Sequence, residues 1–148
     1  MPVSERRPKI GLVGVGAAAL GLALVAVATF LPWVRSGQVL RDSYQSIGVI
    51  RSIGLVDDSV LELALDGWFA LVPICTLCLV GHAVGLRRTG ATIGTILAIV
   101  TGTVAVAATV QVTSSGPVGI AGTGPVVMVI GSALVLIGTV GIFLGGVS

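Results

Sequence analysis

The sequence predicts an all-α fold, a four-transmembrane-helix bundle with a structured outer loop between helices 1 and 2. Three observations carry this. Four long runs, residues 10–31, 67–86, 91–112 and 125–147, contain no Asp, Glu, Lys or Arg. Apolar residues make up 55% of the 148-residue chain and charged residues 9%, with a mean hydropathy of +1.12. A soluble protein, at roughly 25% charged, has the polar groups to cover a wet surface; this chain does not. Eight of its fourteen charged residues are gathered in one polar island, residues 32–66: Arg35, Arg41, Asp42, Arg51, Asp57, Asp58, Glu62 and Asp66.

Residues 1–9 read as a solvated N-terminal segment on the cytoplasmic side, with Arg6, Arg7 and Lys9 against Glu5. Ile10 to Leu31 then gives 22 uncharged residues, about 30 Å of helix and so the depth of a bilayer's hydrocarbon core. Ala26-Val27-Ala28 formally matches a signal-peptidase site. The apolar run is longer than a signal peptide's and continues through Phe30 and Leu31, which favours a retained span.

Trp33 follows at the position of an interfacial anchor. Tyr44, Ile47, Ile50 and Ile53 recur at three-residue steps, a partial helical stripe interrupted by Gly48 and Gly54. Ser59 and Glu62 have capping-box spacing, and Asp57-Asp58 beside them suit a helix N-terminus. One or two short helices against the membrane surface are therefore expected. In the second span Pro73 marks a kink or a weak first turn. Arg87 to Gly90 reads as a tight basic turn, and residues 113–124 as a neutral loop rich in Gly-Pro turn chemistry. Pro125 suits the first turn of the last span.

Lys and Arg set the orientation. Arg6, Arg7, Lys9, Arg87 and Arg88 fall on one side, against Arg35, Arg41 and Arg51 diluted through 35 residues on the other. Both termini are thus expected in the cytoplasm. Lipid provides no hydrophobic push between helices, so small residues that let backbones approach must supply the packing. Candidate seams are Gly14, Ala18, Gly21 and Ala28 in the first span, and Gly94, Ala98, Thr101, Ala105 and Ala108 in the third. In the fourth they are Gly131, Gly138, Gly141 and Gly145. The GxxxG pairs Gly81–Gly85, Gly90–Gly94 and Gly141–Gly145 could serve dimerisation instead.

Ion-coupled transport needs a charge held at mid-membrane, and no span supplies one. His82 is a lone ring one turn from Arg87-Arg88, read as a capping or headgroup contact. Cys75 and Cys78 form a CxxC on one helix face, as in four-helix thiol oxidases, but the island has no shuttle cysteine and inert packing is the better reading. Gly11 to Gly16 resembles a phosphate loop only in composition, since no strand precedes it. No catalytic residue, metal or cofactor is assigned. No basic run with interleaved aromatics points to nucleic acid. The candidate interaction surface is Trp33, Arg35, Arg41, Tyr44 and Trp68, with the arginines either pairing with the island's carboxylates or contacting a ligand.

Leu31-Pro32-Trp33, Ser36-Gly37, Arg41 and Ser43-Tyr44 together resemble an L-P-W…S-G…R-x-S-Y pattern found after the first span of a group of small four-span proteins of actinobacteria. Leu71-Val72-Pro73, Arg87-Arg88 and Gly124-Pro125 extend the resemblance over most of the chain. It implies a multi-pass plasma-membrane protein of a high-GC Gram-positive bacterium and brings no activity with it. The expected role is a non-enzymatic accessory or scaffold subunit in the lipid bilayer, docking an envelope protein or lipid through residues 32–66. The alternatives are a carrier of lipid or small hydrophobic molecules and, distantly, a membrane thiol oxidoreductase.

Overall fold

Long runs of Ala, Leu, Val and Ile, closed by proline or glycine, fold into helices. The computed structural model describes residues 6–36, 38–52, 63, 66–111 and 118–145. Along the chain these form α1 (Arg6–Ala28), β1 (Pro32–Ser36), β2 (Val39–Asp42), α2 (Ser43–Ser52), α3 (Leu71–Ala83), α4 (Arg87–Gln111), β3 (Val118–Ile120) and α5 (Thr123–Gly145). The fold is mostly helical. Three helices, α1, α4 and α5, are long and apolar enough to cross a membrane. The fourth apolar helix, α3, is shorter at 13 residues.

Several boundaries differ from expectation for local reasons. Arg6 to Lys9 form the first turn of α1 rather than a tail, because Pro8 sits where a helix N–H has no internal acceptor anyway. Pro73 lies in the first turn of α3. Having no N–H, it leaves the Phe69 carbonyl without its helical donor, and the helical turn at residues 66–69 is set off from α3 by Ala70. Arg87 to Gly90 are not a turn but the start of α4. The reversal is made by Val84, Gly85 and Leu86, with Gly85 at φ +92°, a conformation glycine adopts without strain.

All four apolar helices bury residues at alternating steps of three and four. On α1 these are Gly11, Gly14, Ala18, Gly21, Val25 and Ala28; on α3, Leu71, Cys75, Cys78 and His82. On α4 they are Ala91, Gly94, Ala98, Thr101 and Ala105, and on α5 Gly124, Met128, Gly131, Val135, Gly138, Ile142 and Gly145. That average of 3.5 is the period of a left-handed helical bundle. Gly14 lies against Gly138 and Gly21 against Gly131, so α1 and α5 are antiparallel. This is the most extensive helix–helix contact.

The distribution of side chains is inverted relative to a protein in water. Gly, Ala, Ser and Thr share the interior with a few large residues such as Leu22, Met128 and Ile142, while Val13 (73% exposed), Leu77 (70%), Val110 (71%) and Leu144 (69%) point outward. Burying so many small groups while exposing large apolar ones loses free energy in water and none in lipid. Buried hydroxyls are paired across α4 and α5. Thr101 Oγ1 donates to the Leu97 carbonyl and lies 3.2 Å from Ser132 Oγ, and Thr95 Oγ1 lies 3.2 Å from Thr139 Oγ1.

The island differs most from its reading as surface helices. It opens with an antiparallel hairpin, β1 on β2, and β3 from the later loop adds to β1's other edge, giving the order β2-β1-β3. Val34, Val39 and Leu40 suit strands. Of the expected stripe, Tyr44 is half-buried and Ile47 buried on α2, whose N-cap is Asp42: its Oδ1 accepts the Gln45 backbone N–H at 2.8 Å. Ile53, Gly54, Asp57, Asp58, Ser59, Glu62 and residues 113–117 of the expected loop lie outside the described residues.

Candidate functional site: the cap over the helix ends

The C-terminal carbonyls of a helix need donors from elsewhere, and the way α1 finds them builds the site. Thr29 Oγ1 donates to the Ala26 carbonyl (2.7 Å). Phe30 N–H donates to Val27 (3.0 Å) and Leu31 N–H to Ala28 (3.3 Å). The Trp33 indole N–H reaches back to the Ala28 carbonyl at 2.7 Å. Ser43 donates its hydroxyl to the Thr29 carbonyl at 2.6 Å, and in turn accepts the Trp68 indole N–H at 3.1 Å. Hydrogen bonds therefore tie β1, α2 and the turn before α3 to the end of one helix.

Trp33 can reach inward because β1 is irregular there. The pairing with β2 shifts between Pro32 and Val34, leaving Trp33 as the bulged residue with its side chain aimed into the bundle. It is 8% exposed, packs edge to face on Trp68, and lies against Gly124 so closely that a Cβ there would strike the ring. Its carbonyl accepts Ala121 N–H at 2.9 Å, joining the start of α5 to the same point. Around this lock, Tyr44 stacks obliquely between Phe30 (5.5 Å) and Phe69 (5.3 Å).

Of the residues assigned to the interaction surface, the structure thus buries Trp33 and half-buries Arg41, Tyr44 and Trp68; Arg35 is exposed on β1. The arginine partners Asp57, Asp58 and Glu62 lie outside the described residues. Sequence reasoning gave no role to Thr29 and read Gly124 only as turn chemistry at the entry to the last span. A signal for Ser43 was present: Trp33, Ser43, Tyr44 and Gly124, quoted above for their pattern, all converge here. The chemistry of this cluster is positioning. It presents β2, an edge strand among the described residues, with Val39 (54%) and Leu40 (56%) exposed.

The packing residues fall into two groups. A Cβ on Gly14 would lie 2.7 Å from the Gly138 carbonyl oxygen, one on Gly21 2.6 Å from that of Gly131, and one on Gly141 3.0 Å from the Gly14 Cα. Gly138 packs directly on the Ala18 backbone. Ala98 of α4 is buried, and Gly94 has more room, since a Cβ there would make an ordinary 3.5 Å contact with Val135. Gly145 is buried at the end of α5.

At the opposite end, His82 is buried in the last turn of α3. Its Nδ1 lies 2.7 Å from the Cys78 carbonyl, which can only accept, so Nδ1 carries the proton. The ring lies close against Gly90, and among the described residues its buried Nε2 has no hydrogen-bond partner. Cys75 and Cys78 share α3's buried face as free thiols. Among the described residues no group of three His, Cys, Asp or Glu side chains is placed to hold a metal.

No protein-family model matches the chain, and neither a curated protein nor a solved structure is similar to it. The functional reading therefore rests on the geometry itself.

Proposed function

We propose that the chain is a non-catalytic accessory or scaffold subunit of the plasma membrane of an actinobacterium. It crosses the bilayer four times, with both termini in the cytoplasm and the sheet outside. The second crossing in chain order is made by α3 with the helical turn before it, residues 66–83, about 27 Å at helical rise. Leu77 and Val80 on its outer face are exposed like those of the longer helices.

The observation that carries the role is the fixed β2 edge. A strand held by the Trp33–Ser43–Trp68 lock offers backbone hydrogen bonds and exposed Val39 and Leu40 without ordering cost, which suits addition of an extended segment from an envelope protein. The test is a photo-crosslinking residue at Leu40, compared with one at Val100 on the lipid-facing side of α4. A discrete protein adduct at Leu40 alone, lost in Val39→Lys, supports the reading. Lipid adducts at both positions defeat it.

A second reading is carriage of lipid or another hydrophobic molecule. It is favoured by a groove of about 460 Å³ between α4 and α5, open to the side and lined by Gly102, Thr103, Val129 and Ser132. Transfer of a labelled lipid between vesicles, abolished by Ala133→Phe, supports it.

A further inference from the structure

A second groove lies at the other end of the molecule, between α3 and α4. It holds about 310 Å³, and Ile74, Leu77, Gly81, Gly90 and Ile93 form its apolar walls. Its depth depends on two glycines. A side chain at Gly81 would extend into the cleft, and Gly90 cannot take one because the buried His82 ring fills the space behind it. The groove ends at Leu86 and Thr89, which bracket Arg87 and Arg88 in the chain. Arg87 is half-buried, and among the described residues its enclosed Nε has no hydrogen-bond partner. Arg88 is exposed beside it, and Lys9 at the start of α1 is at the same end. Among the described residues the carboxylates Asp42 and Asp66 are at the opposite end, with the cap.

We infer that this hairpin binds an anionic phospholipid, with the headgroup phosphate paired with the Arg87 and Arg88 guanidiniums and one acyl chain lying in the groove over Gly81 and Gly90. An apolar groove whose lining residues Leu86 and Thr89 flank two arginines in the chain is complementary to that molecule in apolar surface and charge. The inference rests on the membrane-spanning reading above, which places the hairpin at headgroup level.

The test uses full-length protein purified in detergent from membranes washed with alkaline carbonate, so that its spanning character is established before lipid is added. Phosphatidylglycerol or phosphatidylcholine with identical chains is titrated in, and bound lipid is counted by native mass spectrometry. The wild type is expected to retain phosphatidylglycerol at about tenfold lower concentration than phosphatidylcholine. Arg87→Gln with Arg88→Gln should abolish that preference, and Gly81→Leu should weaken binding of both lipids. Arg87→Lys, which keeps the charge but loses the guanidinium fork, should also lose affinity. Equal retention of the two lipids by the wild type, or a preference that persists in the double arginine variant, overturns the site. Full retention by Arg87→Lys removes the phosphate contact assigned here. Thermal unfolding in detergent, run on each variant, confirms that the fold being compared is the same.

Discussion

The Trp33 indole meets the Trp68 ring edge to face, with centroids 5.4 Å apart and planes at 87°. One lies just past the first long helix and the other before α3, so the contact closes the island on itself over the helix ends. Each indole also donates a hydrogen bond, Trp33 to the Ala28 carbonyl and Trp68 to Ser43. Geometry of this kind contributes about 0.5–1.5 kcal/mol beyond burial alone.

Trp33→Phe should therefore destabilise the protein by about 1–3 kcal/mol, since it removes both the edge contact and the Ala28 donor. Trp68→Phe should cost less, because Ser43 keeps its bond to Thr29. The chain has two tryptophans, so each single variant leaves one reporter whose fluorescence follows unfolding of the cap. Non-additivity in the double variant measures the ring–ring coupling.

Gly14 and Gly16 are two residues apart on α1 but face different surroundings. A Cβ on Gly14 would collide with the Gly138 carbonyl, whereas one on Gly16 would meet nothing within 4 Å. Gly14→Ala should lower stability by about 1–3 kcal/mol through overpacking. Gly16→Ala should leave it unchanged or raise it by up to about 1 kcal/mol through helix propensity. Thermal unfolding in detergent reads both, and the opposite signs are the point of the comparison.

This pair also shows what was legible in the sequence. Apolar runs gave the helices, and small-residue spacing marked Gly14, Ala18, Gly21, Gly131 and Gly138 as places of close approach. It did not separate them from Gly94, which the structure leaves room around, because spacing records a face and not the distance to the neighbour. The large residues on the same faces, Leu22, Val25, Met128, Val135 and Ile142, were passed over, although they fill the gaps between the glycines. The sheet was missed for another reason. β1 and β3 lie far apart in the chain, and pairing between such short strands leaves no local signature. Trp33 points inward because of a bulge, which no periodicity reveals.

Across α4 and α5, Thr101 and Ser132 share a buried hydroxyl contact of 3.2 Å. Thr101→Val keeps the shape and should cost only about 0.6–1.7 kcal/mol, the range for hydrogen bonds between helices in membranes. Unfolding in detergent against Thr103→Val, whose hydroxyl bonds only within its own exposed turn, isolates the interhelical share.

Cys75 and Cys78 are 1% and 2% exposed. A membrane-permeant maleimide should leave both unmodified in the folded protein and label both after denaturation in SDS. Cys75→Ala with Cys78→Ala should lower stability without touching the docking face. Rapid labelling of the native protein would instead favour a thiol-exchange role.

The account stands on the helices crossing a bilayer so that the sheet and the α3–α4 hairpin emerge on opposite sides. In a background carrying Cys75→Ala and Cys78→Ala, single cysteines are introduced as Gln38→Cys beside β2 and Thr89→Cys at the start of α4. Intact cells are then treated with a membrane-impermeant maleimide. Labelling of the first site at once, and of the second only after permeabilisation, is the expected result; equal labelling of both in intact cells, or recovery of the protein in the soluble fraction without detergent, contradicts the account.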